Sequence, residues 1–135
     1  MTSLFDASAI LYFIERNEPE LMAGRYTSDL ALYELGNAIW KESVLLKRLN
    51  AEERNRVLDM VSRVLGLMKV LRAEGQERRI MDVAAQLRIT YYDATYVHMA
   101  RAVGARLVTV DRKLARRAKP LVEVVDPVGV SSPAI

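Results

Sequence analysis

Residues 4–14 read Leu4-Phe5-Asp6-Ala7-Ser8-Ala9-Ile10-Leu11-Tyr12-Phe13-Ile14, and the aspartate divides two kinds of structure. Leu4 and Phe5 have the look of a short buried strand. The mostly apolar run from Ala7 to Ile14 continues as a helix that Asn17-Glu18-Pro19 breaks. A strand that feeds a helix through a single acidic residue is the opening of an alternating α/β chain. Asp6 then stands at the carboxyl end of the strand and can cap the helix.

The same grammar recurs downstream. A second short strand is expected around Gly24-Arg25-Tyr26-Thr27, with Ser28 or Asp29 capping a long helix to about Arg48. Asn50-Ala51-Glu52-Glu53 opens another helix, whose apolar residues Val57, Met60, Val61, Val64, Leu65, Met68 and Leu71 keep helical spacing. Gly75 punctuates, and a helix follows from Arg79 to Leu87. Thr90-Tyr91-Tyr92-Asp93 has the form of a capping box ahead of a helix that stops at Gly104. Leu107-Val108-Thr109-Val110 is a β-branched strand ending at Asp111, a basic helix runs to Ala118, and Leu121 to Val125 makes a last strand. Short apolar strands without polar alternation imply a parallel sheet covered on both faces. The expectation is a three-layer α/β/α domain over residues 1–127 with a short central parallel sheet. Two or more helices would be inserted between its second and third strands, and residues 128–135 would form a loosely ordered tail.

Composition narrows the chemistry. With 135 residues, 51% of them hydrophobic, the chain has the size and balance of one globular domain. It has no cysteine and one histidine, His98, which excludes disulfides, thiolate metal centres and multi-histidine sites within one chain. The eight apolar residues from Ala7 to Ile14 fall far short of the roughly 20 that span a bilayer. With no membrane or export signal, the cytoplasm is the default location. Residues 1–40 carry two basic against six acidic side chains, whereas residues 101–119 carry seven basic ones against Asp111 alone. A basic stripe beside scattered acids suits a polyanionic partner, although an exposed helix face has the same pattern.

In a parallel sheet the strands end on one edge, where ligands bind. Asp6 and Asp111 end strands there, Glu34 lies in the second turn of the helix after the second strand, and Asp93 in the first turn of its helix. Each has an ordinary explanation as a cap or a solvated residue. Together they form an unfavourable cluster of like charges unless a cation neutralises them, and hard divalent ions such as Mg²⁺ or Mn²⁺ prefer oxygen donors. Asn37 shares the helix face of Glu34, and the hydroxyls of Ser8 and Thr109 lie two residues from an aspartate. Such an ion beside basic residues suits phosphodiester hydrolysis. A glycine-rich nucleotide cradle is missing, which weakens an ATPase reading. A phosphoacceptor domain would want a lysine after its last strand, and Leu121–Val125 has none.

Four motifs in order, Leu4-Phe5-Asp6-Ala7-Ser8-Ala9, Leu32-Tyr33-Glu34-Leu35-Gly36-Asn37, Tyr91-Tyr92-Asp93-Ala94 and Val108-Thr109-Val110-Asp111, resemble those of PIN-domain ribonucleases. The nearest likeness is to the VapC-type toxins of toxin–antitoxin pairs, over essentially the whole chain. The resemblance implies that Asp6, Glu34, Asp93 and Asp111 bind Mg²⁺ or Mn²⁺ and support endonucleolytic cleavage of RNA. It makes Ser8, Asn37 and Thr109 supporting polar residues, and it implies a homodimer and a small antitoxin that occludes the site. Gly36 departs from the pattern, which often has a larger residue there. The alternative is an inactive module of the same fold that only binds RNA or protein.

Asp6 and Asp93 are the expected direct ligands, with Glu34 or Asp111 accepting a proton from the attacking water. Arg112, Lys113, Arg116 and Arg117 are expected to rim the same edge and meet RNA phosphates. Tyr91, Tyr92 and Tyr96 have the chemistry to stack on bases but read first as core residues. His98 lies roughly 140° around its helix from Asp93, away from the site. Trp40, Met60 and Met68 read as core or interface packing.

Overall fold

The computed structural model describes residues 2–128. Of the expected tail, residues 129–135 lie outside the described residues. Five strands, β1 (Ser3–Phe5), β2 (Tyr26–Ser28), β3 (Lys69–Leu71), β4 (Arg106–Val108) and β5 (Val124–Val125), form one sheet in the order β3-β2-β1-β4-β5. Every pairing is parallel, with Leu4 opposite Tyr26 on one side and Leu107 on the other.

Helix α1 (Ala7–Glu15) connects β1 to β2, and α2 (Leu30–Trp40) and α3 (Ala51–Leu67) connect β2 to β3. Helices α4 (Glu77–Leu87) and α5 (Tyr91–Val103) connect β3 to β4, and α6 (Arg112–Ala118) connects β4 to β5. Adjacent strand residues point to opposite faces, and here each face has its own core. Leu4 and Leu107 pack with Ile80, Val97 and Leu114 of α4, α5 and α6. Phe5 and Val108 pack with Ile10, Leu35 and Val64 of α1, α2 and α3. Two buried faces explain why the strands carry no polar alternation.

Several local expectations hold. Asn50 and Glu53 form a reciprocal capping box at α3. Of the box expected at Thr90–Asp93 the structure has the first half, Thr90 Oγ1 accepting from the Asp93 amide at 3.1 Å, and Gly104 ends α5 in the left-handed region at φ 69°. At α2 it is Ser28 whose hydroxyl accepts from the Leu30 amide.

Four boundaries differ from expectation. Helix α3 stops at Leu67, and residues 69–71 form edge strand β3, so the inserted helices are split two and two around a fifth strand. The helical period of Val64, Met68 and Leu71 ran past the true end because pairing with β2 claims Lys69–Leu71. The helix expected to reach Arg48 widens after Trp40 into a π-turn, where Leu46 N–H bonds Lys41 O. It ends where Lys47 adopts φ 51° and Arg48 N–H bonds back to Glu42 O. Strand β4 stops at Val108 because the Val110 amide donates to Ser8 Oγ. The last strand shrinks to Val124–Val125 because Leu121 and Val122 bond back to Ala118 O.

Gly36 lies inside α2, and a methyl added there would meet nothing within 4 Å. Gly36→Ala is expected to raise stability by about 1 kcal/mol, because Ala costs less backbone entropy in a helix. Gly104→Ala forces a Cβ into the left-handed region and is expected to lower stability by about 1 kcal/mol. Urea denaturation of the two variants against wild type checks both signs.

Candidate active site

The strand order places β1 beside β4 at the point where the chain reverses its direction of winding, which is where open α/β sheets leave a crevice. Asp6 follows β1 at that point. Its amide continues the ladder to Val108 O, and its carboxylate caps α1 by accepting from the Ala9 amide at 2.9 Å. Two hydroxyls complete the cradle. Ser8 Oγ donates to Asp6 Oδ1 at 2.6 Å and Thr109 Oγ1 donates to Asp6 Oδ2 at 2.5 Å.

Asp6 is 4% exposed. Burial pushes its carboxyl up to about 6, against the hydrogen bonds from Ser8, Thr109 and Ala9, and the charge of Glu34 adds to the rise. Burial therefore outweighs three donors: the fold holds this carboxylate in place without making it comfortable as an anion.

A cavity of about 290 Å³ opens beside Asp6, lined also by Ser8, Glu34, Asp93, Tyr96 and Asp111. Asp93 and Asp111 continue into a smaller cavity of about 120 Å³ with Thr90 and Lys113. All four sequence-assigned acids thus reach one crevice. The Asp93 carboxyl is raised by burial first, then by the charges of Asp111 and Glu34, while the Thr90 hydroxyl and then Lys113 pull it down. Asp111 caps α6, its Oδ1 accepting from the Lys113 and Leu114 amides, and its own amide donates to Thr109 Oγ1. Among the described residues, no three carboxylates converge closely enough to enclose an ion by themselves. The set suits a hydrated hard cation, because Mg²⁺ keeps several waters and takes only one or two carboxylates directly.

Ser8 and Thr109 therefore sit where the sequence placed them. Asn37 does not line the crevice: it is exposed on α2, and the neighbouring wall is Ala38. Tyr96 is the residue that sequence reasoning left in the core. It is 1% exposed, yet its hydroxyl donates to Glu34 Oε1 at 2.6 Å. Its position three residues after Asp93, on the same helix face, was the available signal. Burial and Glu34 raise its phenol well above the ordinary value. Tyr91 is half-buried and Tyr92 exposed.

The four basic residues of α6 do not act as one rim. Lys113 borders Asp93 and Asp111. Arg112 and Arg116, joined by Lys119, line a neighbouring groove of about 480 Å³ against Val124 and Asp126. Arg117 instead donates to Arg88 O at 3.1 Å, closing the left-handed end of α4. His98 bonds Gln76 Oε1 at 2.8 Å and lines a different cavity with Arg79 and Arg101, which keeps it away from the acids. Trp40 is 47% exposed, so it is surface rather than core, whereas Met68 is buried and Met60 half-buried.

Residues 3–120 match the family profile described as PIN domain. Exonuclease VapC9 of Pyrobaculum aerophilum is 37% identical over 95 residues, covering 70% of this chain and 68% of that protein. Ribonuclease VapC3 of the same organism is 30% identical over 133 residues, covering 90% of this chain and 98% of that one. The crystal structure of PAE2754 from Pyrobaculum aerophilum superposes with a TM-score of 0.78 at 29% identity, covering 100% of this chain and 97% of that one. A DNA-bound VapBC structure from Salmonella typhimurium shares the fold, with a TM-score of 0.68 at 20% identity over 93% of this chain and 98% of that one.

The buried aspartate has a measurable consequence. With its folded-state pKa near 6 and its ordinary value at 3.8, Asp6 binds a proton on folding between those pH values. Its contribution to stability is best near pH 4, falls as pH rises to about 6, and stays low above that. Asp6→Asn, studied in EDTA, is expected to be more stable than wild type at pH 7.5 by about 1–3 kcal/mol. The difference should close near pH 4. Thermal denaturation across that range checks it, and a variant less stable than wild type at pH 7.5 contradicts it.

Proposed function

The chain belongs to the PIN-domain family, and on that premise we propose that it is a metal-dependent endoribonuclease acting as the toxin of a toxin–antitoxin pair. The observation that carries this reading is the convergence of Asp6, Glu34, Asp93 and Asp111 on one crevice at the chain reversal. The relatives named as nucleases support it.

Asp6, Glu34, Asp93 and Asp111 are the residues that would hold Mg²⁺ or Mn²⁺. When bound, such an ion supplies charge for the phosphate and lowers the pKa of a water. Such an ion fits the site, since burial and then the charges of Asp111 and Glu34 raise Asp93, and a cation relieves the repulsive part. Asp6 is the fixed member, oriented by Ser8 and Thr109. Asp111 is exposed and has only Oδ1 tied to backbone amides. It accepts a proton of the attacking water and passes it to solvent as the water oxygen bonds phosphorus, the bond from phosphorus to the leaving oxygen breaks, and that oxygen takes a proton from solvent. Lys113, at the mouth beside Asp93 and Asp111, offsets the charge of the arriving phosphate.

Arg112 and Arg116 carry the flanking RNA backbone in the adjoining groove, where neither forms an ion pair among the described residues. Arg117, bound to Arg88 O, contributes to the fold as well as to the local charge. A homodimer and a small antitoxin belong to the same proposal. The exposed Leu32, Tyr33, Trp40, Val44 and Leu45 on α2 and the following turn offer an apolar face for protein contact beside the crevice. No helix among the described residues is long and apolar enough to cross a membrane. RNA as the substrate places the proposed action in the cytoplasm.

Cleavage of a circularised RNA by wild type in Mn²⁺, lost in EDTA and reduced at least 100-fold by Asp93→Asn with the fold intact by circular dichroism, is the expected result. A circle has no end, so its cleavage separates an endonuclease from an exonuclease. RNA binding without turnover in any divalent metal would leave the inactive-module reading standing.

In the Asp93→Asn background, Arg112→Ala with Arg116→Ala is expected to weaken single-stranded RNA binding. It should also reduce the slope of log affinity against log salt by about 1.4, from two phosphates at about 0.7 each. Fluorescence anisotropy at several salt concentrations measures both.

A further inference from the structure

The reading of the four acids as a cation site leaves Tyr96 without a role, although its buried side chain lines the same crevice. Its body belongs to the core formed by α4, α5 and α6, and its hydroxyl emerges on the opposite side of the sheet edge against Glu34 of α2. A buried tyrosine hydroxyl needs a hydrogen-bond partner, and the backbone of Ala7 also reaches this one. This one donates at 2.6 Å to a carboxylate, the short distance of a charge-assisted bond.

Glu34 has a longer side chain than the three aspartates. Asp6 is fixed by three donors and Asp111 by two amides. Among the described residues, the Tyr96 hydroxyl is the one side-chain partner of Glu34. Freezing a glutamate side chain costs up to about 2 kcal/mol of rotamer entropy, and a single short bond from a rigid, buried phenol offsets that before any ligand arrives.

We propose that Tyr96 is a positioning residue for the cation site: it occupies Oε1 of Glu34, fixes the carboxylate, and leaves Oε2 as the oxygen for the divalent ion. This rests on the metal-nuclease reading and adds to Ser8 and Thr109 a further side chain that tunes the site without touching the ion. Partners of this kind typically change metal affinity by roughly 10–100-fold.

The test is calorimetric titration of Mn²⁺ into the folded, RNA-free protein, so that turnover plays no part. Tyr96→Phe keeps the ring and removes the hydroxyl, and it is expected to raise the Kd for Mn²⁺ at least about 10-fold. Thr95→Val is the matched control. Thr95 is buried on the same helix and donates to Tyr91 O at 2.9 Å, so this change removes a bond of α5 without reaching Glu34. Its Kd should stay within twofold of wild type, with thermal denaturation in EDTA reporting the stability of each variant. A Tyr96→Phe Kd within twofold of wild type overturns the proposal. So does a Thr95→Val protein that loses as much affinity. Wild type that binds no Mn²⁺ fails differently, because it removes the cation site itself and the positioning role with it.

Discussion

Everything at the crevice depends on the reversal of strand order between β1 and β4. Winding in one direction lays β2 beside β1 and β3 beyond it, and puts α1, α2 and α3 on one face. Winding in the other lays β4 and β5 on the far side and puts α4, α5 and α6 on the opposite face. Only where the two directions part do the connections diverge and leave the strand ends uncovered. Asp6 and Thr109 meet at that parting, so a bond between side chains 103 positions apart in the sequence closes the floor of the site. Polar groups elsewhere in a sheet with two apolar faces would lie buried without such an outlet.

The ordinary and the functional explanations of the acids are the same geometry. Asp6 caps α1 and Asp111 caps α6, while Asp93 is the third residue of α5, its amide capped by Thr90. A helix that starts at the carboxyl edge of a parallel sheet presents free amides there, and an aspartate both satisfies them and faces the crevice. Helix ends favour a nearby anion by typically 0.3–1 kcal/mol. That is not enough here: Asp6 remains raised to about 6 and Asp93 is raised too, because burial and neighbouring charge win. The caps account for where the acids stand, but they leave the negative charge uncompensated, which is the condition a divalent cation meets.

Most of this was legible because the deciding residues act locally. Asp6, Asn50, Thr90, Gly104 and Asp111 each announce a cap within three or four positions, and the acids followed from placing strand ends on one edge. What escaped depends on pairing or on direction. Edge strand β3 has no signal of its own: Met68 and Leu71 continue the helical period of α3, and only β2 makes Lys69–Leu71 extended. The basic run after Asp111 looked like one surface, yet the 100° turn per residue sends Lys113 toward the acids and Arg112 with Arg116 toward β5. Asn37 failed for a related reason. Three residues after Glu34 brings it near in projection, but the crevice lies on the side of Leu35 and Ala38. Tyr96 was assigned correctly to the core by its body and missed by its hydroxyl, since burial of a ring says nothing about where its polar tip emerges.

The four acids also differ in how firmly they are held, and the most buried of them is held most firmly. Asp6, at the floor, accepts from two hydroxyls and an amide and is 4% exposed. Glu34 is restrained by one phenol and Asp93 is half-buried, while Asp111 at the mouth is exposed with only Oδ1 tied to amides. A uniformly rigid set would have to match a hydrated ion in advance, whereas a uniformly mobile one would lose the entropy of every side chain on binding. Unequal restraint avoids both: Asp6 fixes the location, and the carboxylate oxygens without donors adapt to water and phosphate. The cost falls on the metal-free fold, where a carboxylate with a pKa near 6 is kept ionised at neutral pH. A ligand that binds only the folded state returns that stability by mass action, so in the proposed enzyme the same cation that prepares the chemistry also completes the fold.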